Sequence, residues 1–198
     1  MIKYPISTIL YLAKLSIKDK IQDTLKLYNN IDVYITIAVK DKNGNVIKKH
    51  KQHSHSFVKN FLQVIANIFG ETPGVNLAMA TLNWSQGLQV GTGTGTPSPN
   101  DTALFNLIGN GTGSGQMQYP SNPTISSLTV SGNTSSFTIT STIANNSGAS
   151  ITVSEVGLFA SPSGDVLYGL LTHDLLSSPI TVPNLSEIQI TYTISVTT

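Results

Sequence analysis

The amino-acid sequence predicts a mainly β fold: an antiparallel β-sandwich of the jelly-roll or immunoglobulin-like type, with an N-terminal helix and a strand-turn-strand-helix unit. Residues 116–198 contain seven short stretches rich in Thr, Ser, Ile and Val, separated by turn sequences, a spacing typical of antiparallel sandwiches. Residues 31–39 and 187–196 alternate between apolar and polar side chains, as half-buried strands do. Apolar residues recur at helical spacing in residues 1–28 and 57–69.

Residues 1–30 are predicted to form a helical docking segment, followed by one β-sandwich domain over residues 31–198. Pro5 and Lys14 interrupt the apolar stretch, which argues against a signal peptide or a membrane span. Three alternatives stay open for the apolar side of this helix: a partner protein, a membrane surface, or the rest of its own domain. The candidate assembly contacts are Ile6, Ile9, Leu10, Ile17, Ile21 and Leu25.

The strand-turn-strand-helix unit follows. Residues 31–39 alternate strictly, Asn43-Gly44 is a strong hairpin signal, and residues 46–53 form a lysine-rich returning strand suited to a sheet edge. Ser54 or Ser56 is suited to cap an inserted helix over residues 56–70, which ends at a glycine. Residues 71–86 show no period and are interpreted as a loop or irregular strand.

The central stretch, residues 88–105, predicts a short apolar strand, a Gly-Thr loop and a double-proline stop. A brief helix, capped by Asn100 or Asp101, is expected next. The seven strands predicted beyond it cover residues 116–119, 124–130, 135–143, 150–159, 166–171, 178–182 and 187–196.

Three pieces of this pattern, in order along the chain, carry a family resemblance that covers roughly residues 31–198. The sequence VGTGTGTPSPNDTAL at residues 90–104, then ITVSEVGLF at residues 151–159 and a closing alternating strand, resemble virion structural proteins. These are tail, fibre-base and vertex or turret components of bacterial and archaeal viruses. The resemblance implies an assembly role without catalytic residues, and an acidic residue at position 155 that ties down the Gly-Thr loop. The candidate structural residues of this loop and strand are Gly91, Gly93, Gly95, Asp101, Glu155 and Gly157.

Charge is divided along the chain. Residues 1–59 carry eleven lysines and four aspartates, whereas residues 60–198 carry six acidic residues and no lysine or arginine. This division indicates either a basic docking surface for an acidic partner or two separate solvated faces. The absence of arginine argues against nucleic acid as a partner. The absence of cysteine excludes disulfides and thiolate catalysis.

Three patterns were weighed as chemical sites. The glycines at 91, 93 and 95 lack the lysine of a phosphate loop, and Pro97 prevents the long helix of a dinucleotide fingerprint, so a strand-to-helix turn is favoured. His50, His53 and His55 could supply metal ligands, but no carboxylate lies within that segment, so an exposed strand end is favoured. Glu155 has no catalytic partner that sequence can place beside it. The prediction is therefore no catalytic residue, no cofactor and no metal.

Asn-x-Ser/Thr sequons make the acidic half a candidate glycoprotein surface, although its Ser/Thr-rich composition is an equally good explanation. They begin at Asn83, Asn100, Asn110, Asn133, Asn145 and Asn184.

Together these patterns predict a non-enzymatic virion component that assembles through its basic N-terminal part, with copies of itself and other virion proteins as partners. The cysteine-free, lysine-only composition is compatible with a thermophilic archaeal host. The alternatives are an extracellular, pilin-like filament subunit assembled by strand complementation, or a carbohydrate-binding adhesin module.

Overall fold

The computed structural model describes residues 30–54, 56–62, 87–159 and 169–197. Within these ranges the fold is mainly β and its sheets are antiparallel, as the sequence predicts. The strands are β1 (Asn30–Lys40), β2 (Val46–His53), β3 (Gly87–Gly91), β4 (Thr124–Ile125), β5 (Thr129–Ser131), β6 (Thr134–Asn145), β7 (Ile151–Phe159), β8 (Leu170–Val182) and β9 (Ser186–Thr197).

The larger sheet has six strands in the order β2-β1-β9-β6-β4, with β5 also paired to β6. Strands β1 and β2 form the hairpin expected from Asn43-Gly44, and Gly44 takes a φ of 81° that suits glycine. Asp41 Oδ1 accepts hydrogen bonds from the backbone N–H of Asn43 (2.8 Å) and Asn45 (2.9 Å). These bonds fix the turn and hence the register of the two strands.

The smaller sheet has three strands in the order β3-β7-β8. Its central strand, β7, shifts register against β8 between Val153 and Glu155. The shift interrupts strict alternation, so Val153, Ser154 and Glu155 are all buried. This irregularity brings the Glu155 side chain into the protein interior.

One apolar core joins the two sheets. In β1 the odd-numbered residues from Val33 to Val39 are buried, and their β9 partners Ile188, Ile190 and Tyr192 are fully buried. Val90, Val153 and Val156 of the smaller sheet belong to the same apolar cluster. The alternation read from the sequence therefore correctly identified the core side of the larger sheet.

Several boundaries differ from the prediction. Residues 100–105 form turns instead of a capped helix, because the carboxylate of Asp101 accepts from the N–H of Ser98 and faces His173. The strand predicted over residues 124–130 is divided into β4 and β5. The two strands predicted over residues 166–171 and 178–182 are joined, from Leu170 onward, in the single strand β8. Residues 116–119 form isolated bridges only.

Helical conformation in the inserted unit begins at Lys59 instead of residue 56. Phe57 forms a bridge with Thr172, and Val58 donates to the carbonyl of Leu171, so this segment is held against β8. Ser54 does not cap the helix: its hydroxyl donates to Asp174. The predicted N-terminal helix, the rest of the inserted helix and residues 71–86 lie outside the described residues.

Candidate functional site

The most distinctive polar site is built around Glu155, at the end of the β3-β7 ladder opposite Gly91. Its side chain is fully buried. Oε1 accepts hydrogen bonds from the N–H of Gly93 (2.9 Å) and Asn106 (2.8 Å), and Oε2 accepts from the N–H of Phe105 (3.0 Å). One carboxylate thereby binds both ends of the central loop, residues 92–106.

His173 on β8 provides the fourth contact to this carboxylate. Its Nε2 lies 2.8 Å from Oε2 of Glu155, and its Nδ1 lies 2.6 Å from Oδ2 of Asp101. A protonated imidazole donates from both nitrogens. A neutral imidazole carries a proton on one nitrogen only, so the carboxyl group that faces the other nitrogen must be protonated and donate to it. The three side chains of Glu155, His173 and Asp101 form what we call the Glu155 cluster.

Asp101 connects the cluster to the proline-rich part of the loop. Its Oδ2 also accepts from the N–H of Ser98 (2.8 Å), and its own N–H donates to the carbonyl of Ser98 (3.0 Å). The Phe105 ring packs on the imidazole of His173 with centroids 4.4 Å apart. The imidazole is fully buried beneath these contacts, while the Asp101 side chain is 15% exposed.

Four motif glycines provide the space for these contacts. A Cβ on Gly91 would collide with Glu155 Oε1, and one on Gly93 would lie 2.6 Å from the same oxygen. A Cβ on Gly95 would lie 2.9 Å from the Phe105 ring, and one on Gly157 would lie 2.6 Å from Leu170. The glycines at these positions are therefore explained by close packing around the loop, without a bound phosphate.

The base of the loop is closed by further hydrogen bonds. Thr92 N–H donates to the carbonyl of Asn106 (2.9 Å), and Ile108 N–H donates to that of Val90 (3.0 Å). The Tyr119 hydroxyl donates to the carbonyl of Ile108 (2.8 Å) from a buried position. Burial raises the pKa of Tyr119 well above that of a free tyrosine.

A second buried polar group lies next to the cluster on β8. Oδ2 of Asp174 accepts from the hydroxyls of Ser54 (2.7 Å) and Tyr192 (2.9 Å), and Thr172 donates to the Tyr192 oxygen (3.3 Å). The pKa of Tyr192 is raised mainly by burial and to a smaller extent by the adjacent Asp174 carboxylate. These bonds connect β8 to β9 and to the end of β2 through the protein interior.

The geometry of the Glu155 cluster indicates what it can do chemically. Both nitrogens of His173 are engaged by carboxylates, so neither faces a hydroxyl nucleophile. Three loop amides occupy the remaining positions on Glu155. The cluster is therefore built to fix a loop that contains no regular secondary structure.

Gly91, Gly93, Asp101 and Glu155 are brought together in this site, with Gly95 and Gly157 at its margins. Sequence reasoning missed His173, which it could not place beside Glu155. The available signal was the His-Asp pair at 173–174 within a leucine-rich stretch, since a charged pair on a buried strand needs partners.

The described sequon asparagines differ in accessibility. Asn100, Asn110, Asn133 and Asn184 are exposed. Asn145 does not fit the expectation of a glycosylation site: it is fully buried, and its Nδ2 donates to the carbonyls of Ala149 and Val182, both at 2.8 Å. A glycan on that nitrogen would break these bonds. Asn83 lies outside the described residues.

The histidines of β2 have ordinary contacts. His50 Nε2 lies 2.8 Å from Gln52 Oε1, and the His53 ring lies 4.1 Å from that of Tyr34. His55 lies outside the described residues, and within the described ranges no group of three or more acidic or histidine side chains is arranged to hold a metal ion. No helix in the described part of the chain is long and apolar enough to cross a bilayer.

The candidate assembly contacts between Ile6 and Leu25 precede the described residues. Comparison of the chain with protein-family models, curated proteins and solved structures gave no match.

Proposed function

We propose that this chain is a non-enzymatic structural component of a virus particle, which assembles through its basic N-terminal part and exposes a Ser/Thr-rich β domain. The partners in this proposal are copies of the chain and other virion proteins. The proposed architecture is a β-sandwich of the jelly-roll or immunoglobulin-like type, which is supported by a large apolar cluster to which both sheets contribute.

One observation carries the proposal. Two of the three pieces of sequence that resemble virion proteins, residues 90–104 and 151–159, are hydrogen-bonded to each other in the fold. Gly91 pairs with Glu155, and Glu155 binds the amides of Gly93, Phe105 and Asn106. Such a unit fixes a long surface loop without a ligand, which suits a subunit that must present one constant shape to its neighbours.

The charge distribution supports the basic docking part. Lys48, Lys49 and Lys51 are exposed on β2, at one edge of the larger sheet. Lysines on an edge strand discourage pairing with another strand, while they remain available to an acidic surface. Assembly through this side would therefore use charge and not strand addition.

Light scattering coupled to size-exclusion chromatography tests the proposal. The full chain is expected to form a defined oligomer, and a chain lacking residues 1–30 is expected to be a monomer with an unchanged β-type circular dichroism spectrum. If both chains are monomers, self-assembly through the N-terminal part is wrong.

A pilin-like filament subunit is the second candidate, and the opposite edge of the larger sheet favours it. Residues 124–131 contain no charged residue, and Ile125 and Val130 are exposed there. An uncharged, exposed edge accepts an added strand more readily than a lysine-rich one. Electron microscopy of concentrated protein would show filaments under this candidate and closed oligomers under the first.

A further inference from the structure

We propose that the apolar side of residues 1–29 packs on a partly exposed apolar surface at one end of the larger sheet of the same chain. This surface, the sheet-end surface, consists of Ile31, Leu128, Val130, Phe137, Ile194 and Val196. The inference changes one part of the proposed function: the apolar side chains of residues 1–29 would contact their own sheet, and the five lysines of this segment would remain for assembly.

The strand register shows how the surface arises. Ile31 pairs with Val196, Val196 with Ser135, and Ser135 with Val130. Directly paired residues of antiparallel strands point to the same side of the sheet. In β1 this is the side of Val33, Ile35, Ile37 and Val39, which is the core side.

Burial decreases along this side toward the end of the sheet. Ile35 and its partner Tyr192 are fully buried, and in the next row Val33 is buried while Ile194 and Phe137 are partly exposed. In the last row Ile31 is 54% exposed and Val130 is 71% exposed, and Leu128, just before β5, is 66% exposed. The apolar side of the larger sheet therefore extends beyond the part that the core covers.

The position where residues 1–29 join the sheet identifies the occupant. Asn30, the first residue of β1, pairs with Thr197, which pairs with Thr134, which pairs with Ser131. Residues 1–29 therefore join the chain at this end of the sheet, next to Ile31. Neighbouring strands are about 4.8 Å apart, so the four strands β1, β9, β6 and β5 span about 14 Å.

The sequence of residues 1–29 matches this surface in length and in character. A helix of about ten residues, which rises about 1.5 Å per residue, spans the four strands. Ile6, Ile9, Leu10, Ile17, Ile21 and Leu25 offer an apolar side at helical spacing. Because the segment is tethered beside the surface, its effective concentration is on the order of millimolar, which favours the chain's own segment over a second copy.

Thiol labelling tests this contact in the full chain, which contains no cysteine. Val130→Cys introduces one thiol on the sheet-end surface, and its labelling rate by a maleimide is measured with and without Ile9→Ser, Ile17→Ser and Ile21→Ser. If residues 1–29 pack on the surface, the three serine substitutions are expected to raise the labelling rate of this thiol by about tenfold. Ile47→Cys is the matched control, since Ile47 is 52% exposed on the opposite edge strand, and its rate should not change.

Equal labelling rates with and without the three serine substitutions would overturn the proposal. Protection that disappears on dilution would also overturn it, because it would assign the surface to a second copy. Hydrogen exchange of the β5 amides in the cysteine-free chain gives a second readout, with faster exchange expected in the triple serine variant. If the full chain is a monomer and the thiol at position 130 is still protected, the contact within the chain is supported and self-assembly in the proposed function is contradicted.

Discussion

Replacing Glu155 by glutamine tests whether one carboxylate holds the central loop. The wild-type side chain accepts hydrogen bonds from three backbone N–H groups and shares a fourth with Nε2 of His173. A glutamine oxygen can still accept from Gly93 and Asn106. Its NH₂ group must then face the N–H of Phe105, so two donors oppose each other in the protein interior.

The expected loss follows from these bonds. A hydrogen bond to a charged group contributes about 1.5–3 kcal/mol, and a buried donor left without an acceptor costs about 1–3 kcal/mol. Glu155 is fully buried, so solvent does not screen its contacts. Glu155→Gln removes the bond to Phe105 and weakens the others, and we expect the free energy of unfolding to fall by about 3 kcal/mol.

Urea denaturation of wild type and variant measures this difference. Glu187→Gln is the matched control: Glu187 is 36% exposed and lies 3.6 Å from Lys40, and its loss should cost less than about 1 kcal/mol. Hydrogen exchange should also accelerate at Gly93, Phe105 and Asn106. A loss below about 1 kcal/mol, with unchanged exchange at these amides, would refute the loop-anchoring role.

Three further variants or conditions test the same fold. Gly93→Ala places a Cβ 2.6 Å from a buried carboxylate oxygen and should lower the free energy of unfolding by about 2–3 kcal/mol in urea denaturation. Gly109→Ala is the control: its Cβ would lie 3.9 Å from the nearest atom, and the loss should be less than about 0.5 kcal/mol. His173→Phe leaves two carboxylates facing an apolar ring and should cost about 3–5 kcal/mol by the same measurement. An unchanged free energy of unfolding would show that the cluster does not stabilise the fold. Because the pKa values of Tyr119 and Tyr192 are raised in the folded state, the folded protein binds more protons than the unfolded chain above pH of about 10. Stability should then fall as the pH rises, by up to about 1.4 kcal/mol per tyrosine per pH unit, and a flat profile from denaturation at several alkaline pH values would contradict this.

The sequence by itself identified the class of the fold and the core side of its strands. Residues 31–39 and 187–196 alternate strictly, so the side of each strand that faces the core could be read without a structure. The Asn-Gly pair at 43–44 likewise identified the hairpin between β1 and β2. These features depend on neighbours along the chain, which periodicity and turn chemistry describe well.

Local signals failed where a distant partner was decisive. Asn100 and Asp101 resemble helix caps, but the Asp101 carboxylate binds His173, 72 residues away, and residues 100–105 form turns. Asn145 occupies a predicted turn, but its amide is enclosed by strand ends. A side chain with a strong partner in the tertiary fold does not follow its local preference.

The Glu155 cluster shows most clearly which features the sequence determines and which depend on the tertiary structure. The glycines and the single acidic residue on β7 mark the loop in the sequence, whereas only the tertiary structure brings His173 and Asp101 to Glu155. The physical reason is that β7 and β8 pair with a register shift near Glu155, and the alternation of side chains within each strand does not indicate where such a shift occurs. Burial of Glu155 and His173 is stable only when that register places the two side chains beside each other.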